Sequence, residues 1–200
     1  MRLVPAVSDP SLGWEGVAER FAALRTDIGV DVVLRWAEHV RPGGAIVDIG
    51  CGTGLPIGRA LSDAGFRMFG IDPSPTLLAA YRRHVPSAVT AEEGVEASRF
   101  FDRRYDGAVM VGLLFLLSEE RQRPVLARIA DILHPGGHLL FSAPEQSCQW
   151  TDSLTGQLSR SLGLAEYRRI LNEIGCPLVE CYRDEGGNHH CYARRSDYRS

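Results

Sequence analysis

Short apolar runs alternate with helix-length stretches along most of this chain, and that alternation limits the fold more than any other feature. Strands are expected at 45–49, 67–71, 87–91, 106–111, 138–143, 178–183 and 189–194, and helices at 54–65, 74–84, 118–133 and 163–175. Strands joined through helices of that length require crossover connections, so the sheet is mostly parallel and covered on both faces. The last two strands are separated by Glu185-Gly186-Gly187-Asn188, which reads as a hairpin turn and predicts an antiparallel pair at the end of the sheet. Upstream, Val17, Phe21, Leu24, Ile28, Val32 and Trp36 recur at three- and four-residue steps, as expected of two helices broken near Thr26 to Gly29. Arg41-Pro42-Gly43-Gly44 ends that pattern. The fold class is α/β.

With 200 residues, 44% of them hydrophobic, the chain suits one globular domain, 1–200, with a helical cap over 1–40 and a core over 41–200. All 22 basic residues are arginine, which removes Schiff-base, pyridoxal and P-loop chemistry and the Tyr/Lys dehydrogenases. A net charge of −3 recruits neither nucleic acid nor an anionic membrane surface. The arginine pairs at 82–83, 103–104, 168–169 and 194–195 are spread over different elements and read as solvated faces. The longest apolar run, 107–117, is too short to span a bilayer, and the first fourteen residues lack the apolar stretch of a signal peptide. Five cysteines without CxxC spacing argue against a disulfide framework or a zinc site. The expectation is a cytoplasmic protein without a metal, monomeric or homodimeric.

Chemistry concentrates at Ala45-Ile-Val-Asp-Ile-Gly-Cys-Gly-Thr-Gly54, where a buried strand runs into Gly50-x-Gly52-x-Gly54 and then a helix. Glycines serve where backbone turns sharply and approaches a ligand closely. Asp48 precedes the first glycine, at the carboxyl end of the strand, where an acid can face an ammonium. Asp72 ends the next strand, 22 residues after Gly50, an offset that suits hydrogen bonding to a ribose diol. A nucleoside ligand is favoured. A dinucleotide fingerprint would place a small residue sixth from Gly50, but Leu55 stands there and Pro56 follows, so an NAD(P) oxidoreductase is the runner-up.

Val47-Asp-Ile-Gly-Cys-Gly-Thr-Gly54, Gly70-Ile-Asp-Pro-Ser74, Tyr105-Asp-Gly-Ala-Val-Met-Val111 and Leu133-His-Pro-Gly-Gly-His-Leu-Leu-Phe141 together resemble the class I S-adenosylmethionine-dependent methyltransferases, over about half the chain. The resemblance implies a Rossmann-like, doubly wound seven-stranded sheet in the order 3-2-1-4-5-7-6, strand 7 antiparallel. It implies S-adenosylmethionine as cofactor and S-adenosylhomocysteine as product. Gly50, Cys51, Gly52 and Gly54 would lie under the methionine and ribose, Asp48 would approach the ammonium, and Asp72 would hold the ribose hydroxyls. Pro73 and Ser74 would flank the adenosine, Val95 and Glu96 the adenine, and Val111 the methyl group. The segment after the fourth expected strand, Val111-Gly-Leu-Leu-Phe-Leu116, lacks the Asn/Asp-Pro-Pro-Tyr signature of exocyclic-amine methylation.

In an open α/β sheet, ligands sit beyond the carboxyl ends of the strands, so the acceptor site should come from loops at that edge. A lid over 144–162 with Trp150 and Asp152, the hairpin residues Glu185 and Asn188, and Trp14 and Arg25 of the N-terminal helix are the candidates. His189 or His190 could take a proton from a hydroxyl or thiol; as neighbours on a strand they should face opposite sides. The blander readings make Trp150 a packing residue, Cys51 a small buried one and Asp184-Glu185 turn chemistry. The expected activity is methyl transfer to an O, N or S atom of a small molecule. A non-catalytic S-adenosylmethionine-binding sensor or subunit is the alternative.

Overall fold

A computed structural model describes residues 9–24 and 26–197. The N-terminal segment carries two short helices, α1 (Ala18–Ala23) and α2 (Val30–Ala37). Seven strands form the main sheet: β1 (Ala45–Ile49), β2 (Arg67–Ile71), β3 (Val89–Ala91), β4 (Tyr105–Met110), β5 (Leu133–Ser142), β8 (Leu178–Arg183) and β9 (His189–Arg194). Helices α3 (Ile57–Asp63), α4 (Pro75–His84), α5 (Glu119–Ile132) and α6 (Leu164–Glu173) make the crossovers, and a separate two-stranded ribbon pairs β6 (Cys148–Thr151) with β7 (Leu158–Ser161). The sheet order is β3-β2-β1-β4-β5-β9-β8, with β9 antiparallel to both neighbours. With β8 and β9 as the sixth and seventh strands of this sheet, that is the order the sequence resemblance implies.

Two departures have local causes. The helix after the glycine loop begins at Ile57 rather than at 54, because Gly50, Gly52 and Gly54 all take positive φ (67°, 54° and 80°) and hold the backbone out of helical geometry. The expected lid over 144–162 contains the β6–β7 ribbon, whose turn is organised by Asp152: its Oδ1 accepts from the amides of Leu154 and Thr155 and from the Thr155 hydroxyl.

Alternating side chains send the sheet into two apolar layers. Ala45, Val47 and Ile49 of β1 join the layer under α5 and α6, while Ile46 joins Trp36, Leu61, Leu78 and Tyr81 under α2, α3 and α4. Asp48, on the Ile46 face, is the one polar residue in a strand buried throughout. Because β1, β2 and β4 are parallel and in register at Asp48, Gly70 and Val109, their carboxyl ends open onto one edge. Among the described residues, no helix is long and apolar enough to cross a membrane.

Tyr81 is fully buried and three glycines make room for it: a β-carbon on Gly54 would lie 2.9 Å from its Cδ2, on Gly58 2.8 Å from its hydroxyl, and on Gly70 3.1 Å from its ring. Gly58 sits within α3, where alanine would normally stabilise a helix by about 1 kcal/mol. Here the overpacking penalty of about 1–3 kcal/mol prevails. Gly58→Ala is therefore expected to lower the urea midpoint; an unchanged or raised midpoint would show that the ring yields freely.

Candidate active site

The glycine loop is fastened from below. The amides of Gly50 and Cys51 both donate to the carbonyl of Ile71, at 2.9 and 3.0 Å, tying the loop to the end of β2. Asp72 completes the fastening: Oδ2 accepts from the Gly52 amide and Oδ1 from the Ser74 amide, each at 2.9 Å. This carboxyl is buried, and burial pushes its pKa up against the lowering effect of those two amides. Ser74 caps α4, accepting from the Leu77 amide at 3.1 Å.

Above the loop lie two small cavities. One, of about 100 Å³, is bordered by Gly50, Gly52, Asp72, Pro73, Leu77 and Trp14. The other, about 40 Å³, is bordered by Asp48, Cys51, Thr53 and Gly54. Phe21 and Val111 border both. The rings of Trp14 and Phe21 meet edge to face, 5.1 Å between centroids, and Phe21 roofs Gly52 so closely that a β-carbon there would lie 3.4 Å from the ring.

These residues fit a nucleoside carrying an ammonium. The side-chain-free backbone at Gly50 and Gly52 faces the cavity, one buried carboxylate stands at each strand end, and apolar walls lie beside Asp72. Gly54 borders the smaller cavity, but its missing side chain serves mainly the packing of Tyr81. Cys51 is a small buried residue whose thiol pKa is pushed up by burial and then by the charges of Asp48 and Asp72.

Several expected positions stand elsewhere. Val95 lies in the apolar layer under α5, and Glu96 is exposed and paired with Arg121 at 3.4 Å. Neither borders the cavities, because the chain turns away after β3 and the N-terminal residues Pro10, Ser11 and Leu12 occupy that side instead. Trp14 borders the cavity over the glycine loop. Ser74 is turned to its capping role. Arg25 lies outside the described residues.

A third cavity, of about 610 Å³, opens at the carboxyl ends of β4 and β5, bordered there by Val111, Gly112, Ser142 and Ala143. Trp150, Asp152, Asn188, His189 and His190 border it as anticipated, together with Phe115, which packs against Trp150 at 5.2 Å. Phe115 lies in the segment after the fourth expected strand, where an apolar residue fits core and cavity equally; Gly112, with φ of 81°, turns the chain there, and Phe115 borders the cavity. Both histidines border the cavity despite their adjacency, since His189 is the first residue of β9, directly after the turn. His189 is partly exposed, 3.6 Å from Glu145, whereas His190 is buried with Nε2 3.0 Å from Asp184 Oδ2. Asp184, taken from sequence as turn chemistry, also accepts from the amide of Asn188 at 2.8 Å and from its side chain. Glu185 does not border this cavity; its Oε1 accepts from the Gly29 amide at 3.1 Å and ties the hairpin to α2.

Residues 46–137 match the family model described as a methyltransferase domain. The chain is similar to the cypemycin N-terminal methyltransferase of a Streptomyces species, with 31% identity over 137 residues, 66% of this chain and 56% of that one. It is also similar to the carboxy-S-adenosyl-L-methionine synthase of Yersinia enterocolitica, with 32% identity over 128 residues, 60% of this chain and 46% of that one. The chain thus spans about half the length of these curated relatives. Among solved structures it resembles the 1,6-didemethyltoxoflavin-N1-methyltransferase of Burkholderia thailandensis, solved with 1,6-didemethyltoxoflavin and S-adenosylhomocysteine. The TM-score is 0.72, covering 98% of this chain and 94% of that one; at 18% identity this is a likeness of fold. Residues 46–137 thus match a methyltransferase-domain model, and the sheet that holds them has the fold of the solved methyltransferase it resembles.

The N-terminal strap is held over the cradle by Glu15, which accepts from the hydroxyls of Ser74 and Thr76 and from the Thr76 amide. The Ser74 hydroxyl, then that of Thr76, holds its carboxyl below the ordinary value of 4.5. A depressed carboxyl contributes stability above its unfolded value and loses it as pH falls through the folded one. Amide protection over 11–17 is expected to be full at neutral pH and to fall as pH drops below about 4.5, with Glu15→Gln reproducing the loss at pH 7. Equal protection in that variant would detach Glu15 from the strap.

Proposed function

We propose that this chain is an enzyme that moves the methyl group of S-adenosylmethionine onto an O, N or S atom of a small molecule held in the 610 Å³ cavity. One observation carries the reading: Val111 and Gly112, at the end of β4, border both the cradle over the glycine loop and the large cavity. A nucleoside over the loop and a molecule in the cavity therefore share one wall. Gly112 leaves that wall bare, since it has no side chain and a β-carbon there would meet nothing within 4 Å. The Gly112 amide donates to the Ser142 hydroxyl at 2.8 Å, which fixes the junction between β4 and β5.

In this reading Asp48 receives the ammonium of the cofactor, the backbone of Gly50 and Gly52 lies beneath it, and Asp72 receives the ribose hydroxyls. Pro73, Leu77 and Leu12 supply the apolar side in place of Val95 and Glu96. Bound there, the cofactor supplies a methyl group on positively charged sulfur, already activated for displacement. The chain's own contribution is alignment and exclusion of water, by the Trp14–Phe21 roof on one side and the Phe115–Trp150 pair on the other.

A small acceptor is favoured by the cavity's size, within the roughly 300–1,000 Å³ of small-ligand sites. Among the described residues, several of the paired arginines are already engaged, which disfavours a nucleic-acid surface: Arg169 pairs with Glu166 and Glu173, Arg194 with Asp197, and Arg103 lies over the Phe69 ring. Five free thiols fit a reducing, cytoplasmic setting.

Calorimetry with S-adenosylmethionine, S-adenosylhomocysteine and NADH tests the cofactor reading. Both sulfur compounds are expected to bind and NADH not to. Asp72→Ala should weaken binding at least about tenfold, the scale of a lost hydrogen bond to a charged group. Binding of NADH alone would overturn the assignment.

A further inference from the structure

We propose that Cys181 and Cys191 are a modification site: a pair of thiols on the last two strands that closes into a reversible disulfide by exchange with a low-molecular-weight disulfide of the glutathione class. The proposal does not depend on the methyl-transfer reading.

The two cysteines are direct partners across the antiparallel β8–β9 ladder. Among the described residues no other two cysteines face each other in a ladder; Cys148 of β6 stands opposite Ser161. Directly opposed residues of an antiparallel pair have α-carbons about 4.5 or 5.5 Å apart, according to the type of pair. Either spacing lies inside the roughly 4.4–6.8 Å that a disulfide bridges. Opposed residues also send their side chains to one face of the sheet, and these two thiols lie within hydrogen-bonding reach of each other.

β-carbons of opposed residues stand about 4.5–5.5 Å apart, at or just beyond the roughly 3.5–4.5 Å of a disulfide, so one strand must give a little. β8 is the strand that can. It is the last of the sheet and bonded on one side only, and Val179, Glu180 and Cys181 along it are exposed. β9 is held on both sides, by β5 and by β8.

The two thiols differ in access. Cys181 is exposed, whereas Cys191 is 4% exposed. Burial pushes both thiols up, Cys191 to about 12. Both border a crevice of only about 10 Å³, together with Glu145 and Leu164, which has room for one water and not for a tripeptide. A dissolved disulfide therefore meets Cys181 first, and the thiol best placed to resolve the product is Cys191. In a reducing compartment such a bond is transient, which makes the pair responsive to oxidant and not a structural staple.

The exchange balances in two steps. The Cys181 thiolate attacks one sulfur of the dissolved disulfide, forming a mixed disulfide and releasing one small thiolate. Cys191, giving up its proton, then attacks the Cys181 sulfur and releases the second. The reagent is reduced to two thiols, which take the two cysteine protons, and the chain is oxidised by two electrons.

The test treats the whole folded chain with oxidised glutathione, alkylates remaining thiols in urea, and digests with trypsin without reduction. Cleavage after Arg169, Arg183 and Arg194 leaves Cys181 in the peptide 170–183 and Cys191 in 184–194, so the bond is read as those two peptides joined. The joined pair is expected as the main oxidised product, to disappear with dithiothreitol, and to be absent in Cys181→Ser, which keeps an exposed polar residue on β8. Peptide 170–183 also contains Cys176, so a joined pair that persists in Cys181→Ser would place the bond there and overturn the proposal. A glutathione adduct retained on Cys181 with Cys191 alkylated, a bond from Cys148, or both thiols recovered reduced would overturn it equally.

Discussion

The carboxylate of Asp72 gathers three segments at one point. It accepts from the Gly52 amide of the loop after β1 and from the Ser74 amide that opens α4, while its own backbone continues β2. Two of the loop's orphaned amides at 50 and 51 are met by the Ile71 carbonyl just before it. A loop of three positive-φ glycines has high conformational entropy when free, so such fastening is what makes it a defined surface. The strap depends on the same place, because Glu15 grips Ser74 and Thr76 directly after Asp72.

Parallel strands then determine where chemistry can occur. β1, β2, β4 and β5 deliver Asp48, Asp72, Val111 and Ser142 to one edge, and β9, entering antiparallel, starts at that edge with its two histidines. The hairpin after β8 thus brings Asp184 and His190 beside the ends of β4 and β5, which no parallel strand of the same length would do.

Much of this was legible in the residues. The alternation of runs predicted the strands and crossover helices, the glycine loop and the two aspartates marked the cradle, and Glu185-Gly186-Gly187-Asn188 marked the final hairpin. Motifs confined to one strand–loop–helix unit read well because their geometry is local. Val95 and Glu96 misled because the turn after β3 has no such local signature, and which wall covers that side was decided by Pro10 to Leu12, some eighty residues earlier. Trp14 and Phe115 were similarly ambiguous: an aromatic residue in an amphipathic or apolar run fits core and cavity equally.

The sequence by itself determined the α/β class, the parallel sheet with an antiparallel end, and a glycine loop between two strand-end aspartates, since periodicity and turn chemistry act over a few residues. Only the tertiary structure decided that Gly54, Gly58 and Gly70 converge on Tyr81 and that Gly112 lies between two cavities. It also decided that Asp184 holds one histidine while its neighbour meets solvent. Those relations join residues far apart in the chain, and they exist only once burial has fixed which side chains share a space and which polar atoms must find partners there.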